Sequence, residues 1–175
     1  MIEIIIINGT GGVGKDTFVE LCKEYALKLP YMVNIYNYST ITSIKQIAYG
    51  IGWAGTKTEK DRKFLSDLKD LLTQYNDYSY QYIKDIILDI KEHKTKTDSI
   101  VFIHCREPNE IQRFVDDYNA ETVLIRRPQI KPANNHADME VENFNYDYII
   151  DNSGSIKELK VKAEKFINNI IKEKD

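Results

Sequence analysis

Residues 2 to 18, "IEIIIINGTGGVGKDTF", leave few folds open to this chain. The run 2–7 is short and apolar apart from Glu3, the mark of a buried strand. Four glycines and a lysine follow at once. From Lys15 onward Phe18, Leu21, Cys22, Tyr25 and Leu29 recur at steps of three and four, the apolar face of a helix. Strand, glycine loop and helix in direct succession satisfy G-x-x-x-x-G-K, from Gly9 through Gly14 and Lys15, in the context that gives the pattern meaning. Glycine admits the backbone angles that turn successive N–H groups around an anion, the helix adds the positive end of its dipole, and Lys15 brings a mobile full charge. The expected product is a loop that holds a polyphosphate, built from Gly9, Thr10, Gly11, Gly12, Val13, Gly14, Lys15, Asp16 and Thr17.

The rest of the chain alternates short apolar runs with stretches of helical period. That pattern predicts the α/β class, with a five-stranded parallel sheet flanked by helices on both faces. Strands are expected at 2–7, 32–38, 99–104, 121–126 and 146–150. Between the second and third, no strand pattern appears. Helices are expected there near 41–51, 58–74 and 79–93, an all-helical insertion at about 40–97. Thr58 with Asp61 reads as a helix start; Phe64, Leu65, Leu68 and Leu72 repeat helically, as do Ile83, Ile86, Ile87 and Ile90. The last helix opens on "SIKE", a capping box from Ser155 to Glu158, and is expected to bury Ile156, Leu159, Ala163, Phe166 and Ile170. "PQIKPANNHADMEVEN" is polar, holds two prolines and is long for a connection, so a short lid is expected at about 127–143.

At 175 residues and 42% hydrophobic content the chain fits one domain, 1–175. A net charge of −3 supplies no field for attachment to nucleic acid, so the expected partners are small molecules. Two distant cysteines, Cys22 and Cys105, fit a reducing compartment, and the cytoplasm is expected. The opening run is too short for a membrane span, carries Glu3 and lacks the basic flank of a leader peptide.

The loop departs from the common form in one respect: Asp16 follows the lysine, and the hydroxyl arrives one residue later as Thr17. This "GKDT" is similar to the "GKGT" of adenylate kinases. It resembles more closely the "GKDT" of bacteriophage-type deoxynucleoside monophosphate kinases and animal-type phosphomevalonate kinases. "VFIHCREPNEIQRF" resembles the strand and "R-x-P-N-E" segment of the deoxynucleotide kinase group, with Arg106, Pro108, Asn109 and Glu110 in register. "HADMEVENFNYDYIIDNSGSIKEL" resembles its C-terminal pattern, from His136 and Glu140 through Asp147 to "N-x-G-S-x-x-E-L". The matches lie at the start, middle and end of the chain, and residues 30–97 carry least of them. The group has an aspartate two residues before the arginine of "R-x-P-N-E", where this chain has His104. The resemblance implies a P-loop NTPase three-layer fold of the nucleoside monophosphate kinase type, with ATP and Mg²⁺, and Thr17 as a metal ligand.

Arg106 follows a strand expected to end beside the loop, where a forked guanidinium suits an acceptor phosphate; the plain alternative is a surface pair with Glu107 or Glu110. Arg126 and Arg127 close the fourth strand; the resemblance implies that they neutralise the phosphoryl group in transit, and the plain alternative is a basic strand end. Among Lys45, Lys60, Arg62 and Lys63 of the insertion, Arg62 is the expected acceptor ligand. Asp16 either compensates the helix dipole or takes a proton from a hydroxyl acceptor. Trp53 and the tyrosines at 75, 78, 80 and 82 offer a stacking face or core packing. His104 and Cys105 point to opposite faces of a strand, which argues against a shared metal; "DNSG" at 151–154 reads as a turn, and His136 as a solvated loop residue. The expected function is transfer of the ATP γ-phosphoryl group to a (deoxy)nucleoside monophosphate. The rivals are a kinase of a hydroxyl acceptor such as a nucleoside or dephospho-coenzyme A, with Asp16 as base, and a nucleotide-binding protein that transfers nothing.

Overall fold

A computed structural model describes residues 1–93, 97–130 and 141–172. Strands β1 (Ile2–Asn8), β2 (Val33–Ser39), β3 (Asp98–His104), β4 (Glu121–Arg126) and β5 (Tyr148–Asp151) form one parallel sheet in the order β2-β3-β1-β4-β5. β1 lies at the centre because Ile4, Ile5, Ile6 and Ile7 are all buried, as a strand covered on both faces requires. Ile5 pairs with Phe102 on one side and Glu121 on the other. Parallel pairing brings the C-terminal ends of β1, β3, β4 and β5 to one sheet edge, the edge at which open α/β sheets bind ligands.

Helices α1 (Lys15–Ala26) and α6 (Ile156–Lys172) cover one face. Phe166 is the hub of that core, with ring centroids 5.5 Å from Phe18, 6.1 Å from Phe102 and 5.1 Å from Tyr148. Cys22 lies in the same cluster, where burial pushes its thiol well up and leaves it a packing residue. On the other face α5 (Pro108–Tyr118) lies against β1 and β4 and buries Ile111 and Phe114. No helix is among the sequence expectations for this segment. Its signals are Pro108 in the first turn and the spacing of Ile111, Phe114, Val115 and Tyr118.

Contacts divide the chain into two compact units, one of Met1–Asn37 with Lys96–Asp175, the other Tyr38–Thr95. The second consists mainly of α2 (Thr42–Gly50), α3 (Glu59–Asn76) and α4 (Tyr78–Glu92), which pack on one another. Ile83, Ile87 and Ile90 of α4 are buried, whereas Phe64, Leu65, Leu68 and Leu72 of α3 are only half-buried. The expected cap of α3 is present: Asp61 N donates to Thr58 Oγ1 at 3.2 Å, and Thr58 N to Asp61 Oδ2 at 3.0 Å. So is that of α6, where Ser155 N donates to Glu158 Oε2 at 2.6 Å. One core expectation fails: Ile156 is 57% exposed, while Ile167 and Ile171 are buried. Its spacing fits the apolar stripe, but as the first residue of α6 it lies beyond the packed length, which begins at Leu159. Among the described residues no helix is long and apolar enough to cross a membrane.

Candidate active site

The glycine loop joins β1 to α1 at the C-terminal edge of the sheet. Positive φ at Gly12 and Gly14, with ordinary backbone between them, is the alternation that turns successive N–H groups to one side. Gly14 is the N-cap of α1 and supplies no side-chain cap, so the helix N-terminus faces the loop without a carboxylate or hydroxyl in that role. Lys15 folds back over the loop, its ammonium donating to the carbonyls of Gly9 and, at 2.9 Å, of Thr10. Two asparagines secure the loop from outside. Asn8 Oδ1 accepts from Gly9 N at 2.7 Å, and Asn152 Nδ2 donates to the Val13 carbonyl at 2.8 Å. A Cβ on Gly14 would stand 2.6 Å from Asn152 Nδ2, so the glycine is needed there to let the clamp close. "DNSG" is thus more than a turn: its Asn152 is buried beneath the loop.

Charged groups converge beside it. His104, at the end of β3 and 13% exposed in its side chain, lies with Nε2 2.8 Å from Asn37 Oδ1 and 3.6 Å from Asp16 Oδ1. Two oxygens on Nε2 call for the proton there. Burial, with the charges of Lys15 and Arg106 nearby, pushes His104 down to about 4, and Asp16 opposes the shift. The structure therefore brings Lys15, Asp16, His104 and Arg106 together. Cys105 faces elsewhere, its thiol donating to the buried Glu110 at 3.2 Å, so the two neighbours have separate partners.

His104 makes stability depend on pH in a defined direction. Between about pH 6.5 and 4 the unfolded chain binds a proton that the folded chain refuses, so this contribution is complete above 6.5 and is lost as the pH falls. The expected loss is of order 1–3 kcal/mol, read from urea midpoints at pH 7 and pH 4.5. His104→Gln should flatten that part of the profile, and an unchanged slope in the variant would contradict the assignment.

The remaining candidates are spread more widely. Arg126, at the end of β4, is gripped by Glu142 through two hydrogen bonds, Nε to Oε1 at 3.0 Å and Nη2 to Oε2. The pairing raises its already high pKa. Arg127 is exposed and opens a turn in which Ile130 N donates to its carbonyl at 2.9 Å. Of the expected lid, 131–140 lies outside the described residues, and with it His136 and Glu140. Arg62 is exposed on the first turn of α3, and Lys63 pairs with Asp67 at 2.6 Å. Tyr80 is buried, Tyr75 exposed, and Trp53 stacks on Tyr49 at 4.7 Å. Asn8, Asn152 and Tyr146 are not among the sequence candidates, because the bonds Asn8–Tyr146 and Asn152–Val13 join residues far apart in the chain.

The residues present fit a magnesium-bound nucleoside triphosphate. The loop leaves the place of a Gly14 Cβ to Asn152, the start of α1 lacks a side-chain cap, and Thr17 and Asp16 offer exposed oxygens of the kind a hard cation prefers.

No family model and no curated protein matches the chain. Solved structures do. A shikimate kinase from Aquifex aeolicus matches with TM-score 0.53 and 13% identity, over 91% of this chain and 92% of that one. A sugar kinase from Janibacter matches with TM-score 0.53 and 9% identity, over 96% and 95%. A gluconokinase from Sinorhizobium meliloti gives TM-score 0.50 and 11% identity, over 96% and 93%. The chain thus has the fold of P-loop kinases.

Proposed function

We propose that the protein is a phosphotransferase that moves the γ-phosphoryl group of ATP to a (deoxy)nucleoside monophosphate. The observation that carries this reading is that Arg106, just past the end of β3 and tied through its carbonyl to Asn8 at 3.3 Å, adjoins the loop over which Lys15 is folded. A protein that only held a nucleotide would need the loop and Lys15. A second cation just past the end of β3 supports a second phosphate, since two anions that must meet require positive charge between them.

In this mechanism the loop amides and Lys15 grip the β- and γ-phosphates, and Thr17 with its neighbours would hold magnesium, which offsets charge on those oxygens. Arg106 positions the acceptor phosphate, and Arg62 enters as an acceptor-side cation on sequence grounds. An acceptor oxygen, already ionised, forms the new bond to phosphorus as the bond to the bridging oxygen breaks, and ADP leaves with that electron pair. Arg126 or Arg127 would neutralise the group in transit, Arg126 after exchanging Glu142 for it.

A hydroxyl acceptor is the second reading. One observation favours it: Asp16 is 87% exposed yet lies 3.6 Å from His104 Nε2, a carboxylate at the mouth of the site with a partner able to orient it. Single-turnover assays with labelled ATP against nucleoside monophosphates, nucleosides and small alcohols test both readings, and no transfer to any acceptor would end both. Asp16→Asn separates them. With a phosphate acceptor turnover should fall less than about tenfold, whereas loss of a base should cost about 10²–10⁴-fold with acceptor affinity retained.

A further inference from the structure

The carboxamide of Asn8 has only one orientation open to it. Its Oδ1 lies 2.7 Å from Gly9 N, which can only donate, and its Nδ2 lies 3.3 Å from the Arg106 carbonyl, which can only accept. The second Nδ2 proton goes to Tyr146 Oη at 2.7 Å. Tyr146 therefore spends its own proton on the Val141 carbonyl, 2.8 Å away. Asn8 is fully buried, so each of these bonds replaces one that water would otherwise make.

The chain of donors joins segments far apart in sequence: the first amide of the phosphate loop, the backbone of Arg106 and the stretch from Val141 to Tyr146. Glu142, which holds Arg126, belongs to that stretch. Positions 8 and 146 have no part of their own in the transfer step proposed above, yet the junction they make sets the distances between groups that do.

We propose that Asn8 and Tyr146 are a positioning pair that fixes the donor loop relative to Arg106 and Arg126. The role in transfer rests on the kinase reading above; the mechanical coupling does not. Burial pushes the Tyr146 phenol up to about 12, so it remains a donor through neutral pH, and Phe144 packs edge-on against its ring at 5.2 Å. The pair acts by denying the loop and the arginines independent motion, and a small misplacement of groups at a phosphoryl-transfer site is costly.

Tyr146→Phe keeps the ring and its contact with Phe144 while removing only the hydroxyl. In amide hydrogen exchange on the full chain without nucleotide, the variant should exchange about tenfold faster at residues 9–13 and 105–107 as well as at 141–146. Acceleration confined to 141–146, none at all, or a uniform rise through β1 and α6 would overturn the coupling. In transfer assays kcat should fall about ten- to a hundredfold while the KM for ATP moves less than about threefold. Unchanged kcat, or a rise in KM alone, would overturn the role in transfer. Should the wild-type chain transfer nothing to any acceptor, the kinase reading fails, and the exchange pattern still decides whether the pair couples these segments.

Discussion

Alanine at position 15 is expected to lower phosphoryl transfer by about 10²–10³-fold or more while the chain stays folded. The ammonium of Lys15 donates to the carbonyls of Gly9 and Thr10, so it is held above the loop at the place where a polyphosphate would lie. Fixed charge in a partly buried site costs no reorganisation when the reaction occurs, which is why its loss appears in turnover. Stability should change little. The two hydrogen bonds are only part-buried, and their loss should cost about 1 kcal/mol, or roughly 2–4 °C in Tm for a chain of this size. The core face of α1, with Phe18, Val19 and Cys22, is untouched. A second readout is independent of turnover: Lys15 helps hold His104 down, so the imidazole pKa of Lys15→Ala, followed by NMR, should move up toward its ordinary value. A variant that retains turnover within about tenfold of wild type would remove Lys15 from the mechanism.

What the sequence made legible follows a physical rule. Signals carried by neighbours along the chain could be read. The five strands, the loop, the start of α3 and the capping box of α6 depend on residues within a turn or a run of one another, and each stands within a few residues of its expected place. Helix α5 escaped because "PNEIQRFVDDY" is mostly polar and its apolar side is narrow, with Ile111 and Phe114 the hydrophobic residues it buries completely. The candidate site divides the same way. Gly9 to Thr17 are contiguous, so the turn they make between β1 and α1 was legible, but the pairings Asn8–Tyr146, Val13–Asn152, Asn37–His104 and Arg126–Glu142 join residues that no local period relates. His104 was visible as a departure from the resembling group. Its company of Asp16, Lys15 and Arg106 was not, because two strand-to-helix connections far apart in the chain, β1 to α1 and β3 to α5, had to meet at one sheet edge to create it.

The loop's dependence on that edge leads to a second large effect, at Gly9. Its φ is +143°, a backbone angle that L side chains avoid, and an added Cβ would stand 2.5 Å from the Ile125 carbonyl and 2.9 Å from Val13 Cγ2. Ile125 has little room to yield. It lies within β4, where it pairs with Ile150 of β5 and belongs to the main core cluster. The loop must move instead, breaking the bond from Gly9 N to Asn8 and displacing the carbonyl that Lys15 engages. Gly9→Ala should therefore lose about 2–4 kcal/mol of stability, the sum of backbone strain and overpacking. That corresponds to a fall in Tm of roughly 5–15 °C, and affinity for magnesium-ATP should drop about a hundredfold with it. Gly11→Ala serves as the internal control, because nothing lies within 4 Å of its Cβ position, and its stability should stay within about 0.5 kcal/mol of wild type. Calorimetric melting of both variants, followed by titration with magnesium-ATP, separates a steric requirement at one glycine from a general intolerance of the loop. Equal losses at the two positions would mean that the approach of Gly9 to Ile125 is not what shapes the site.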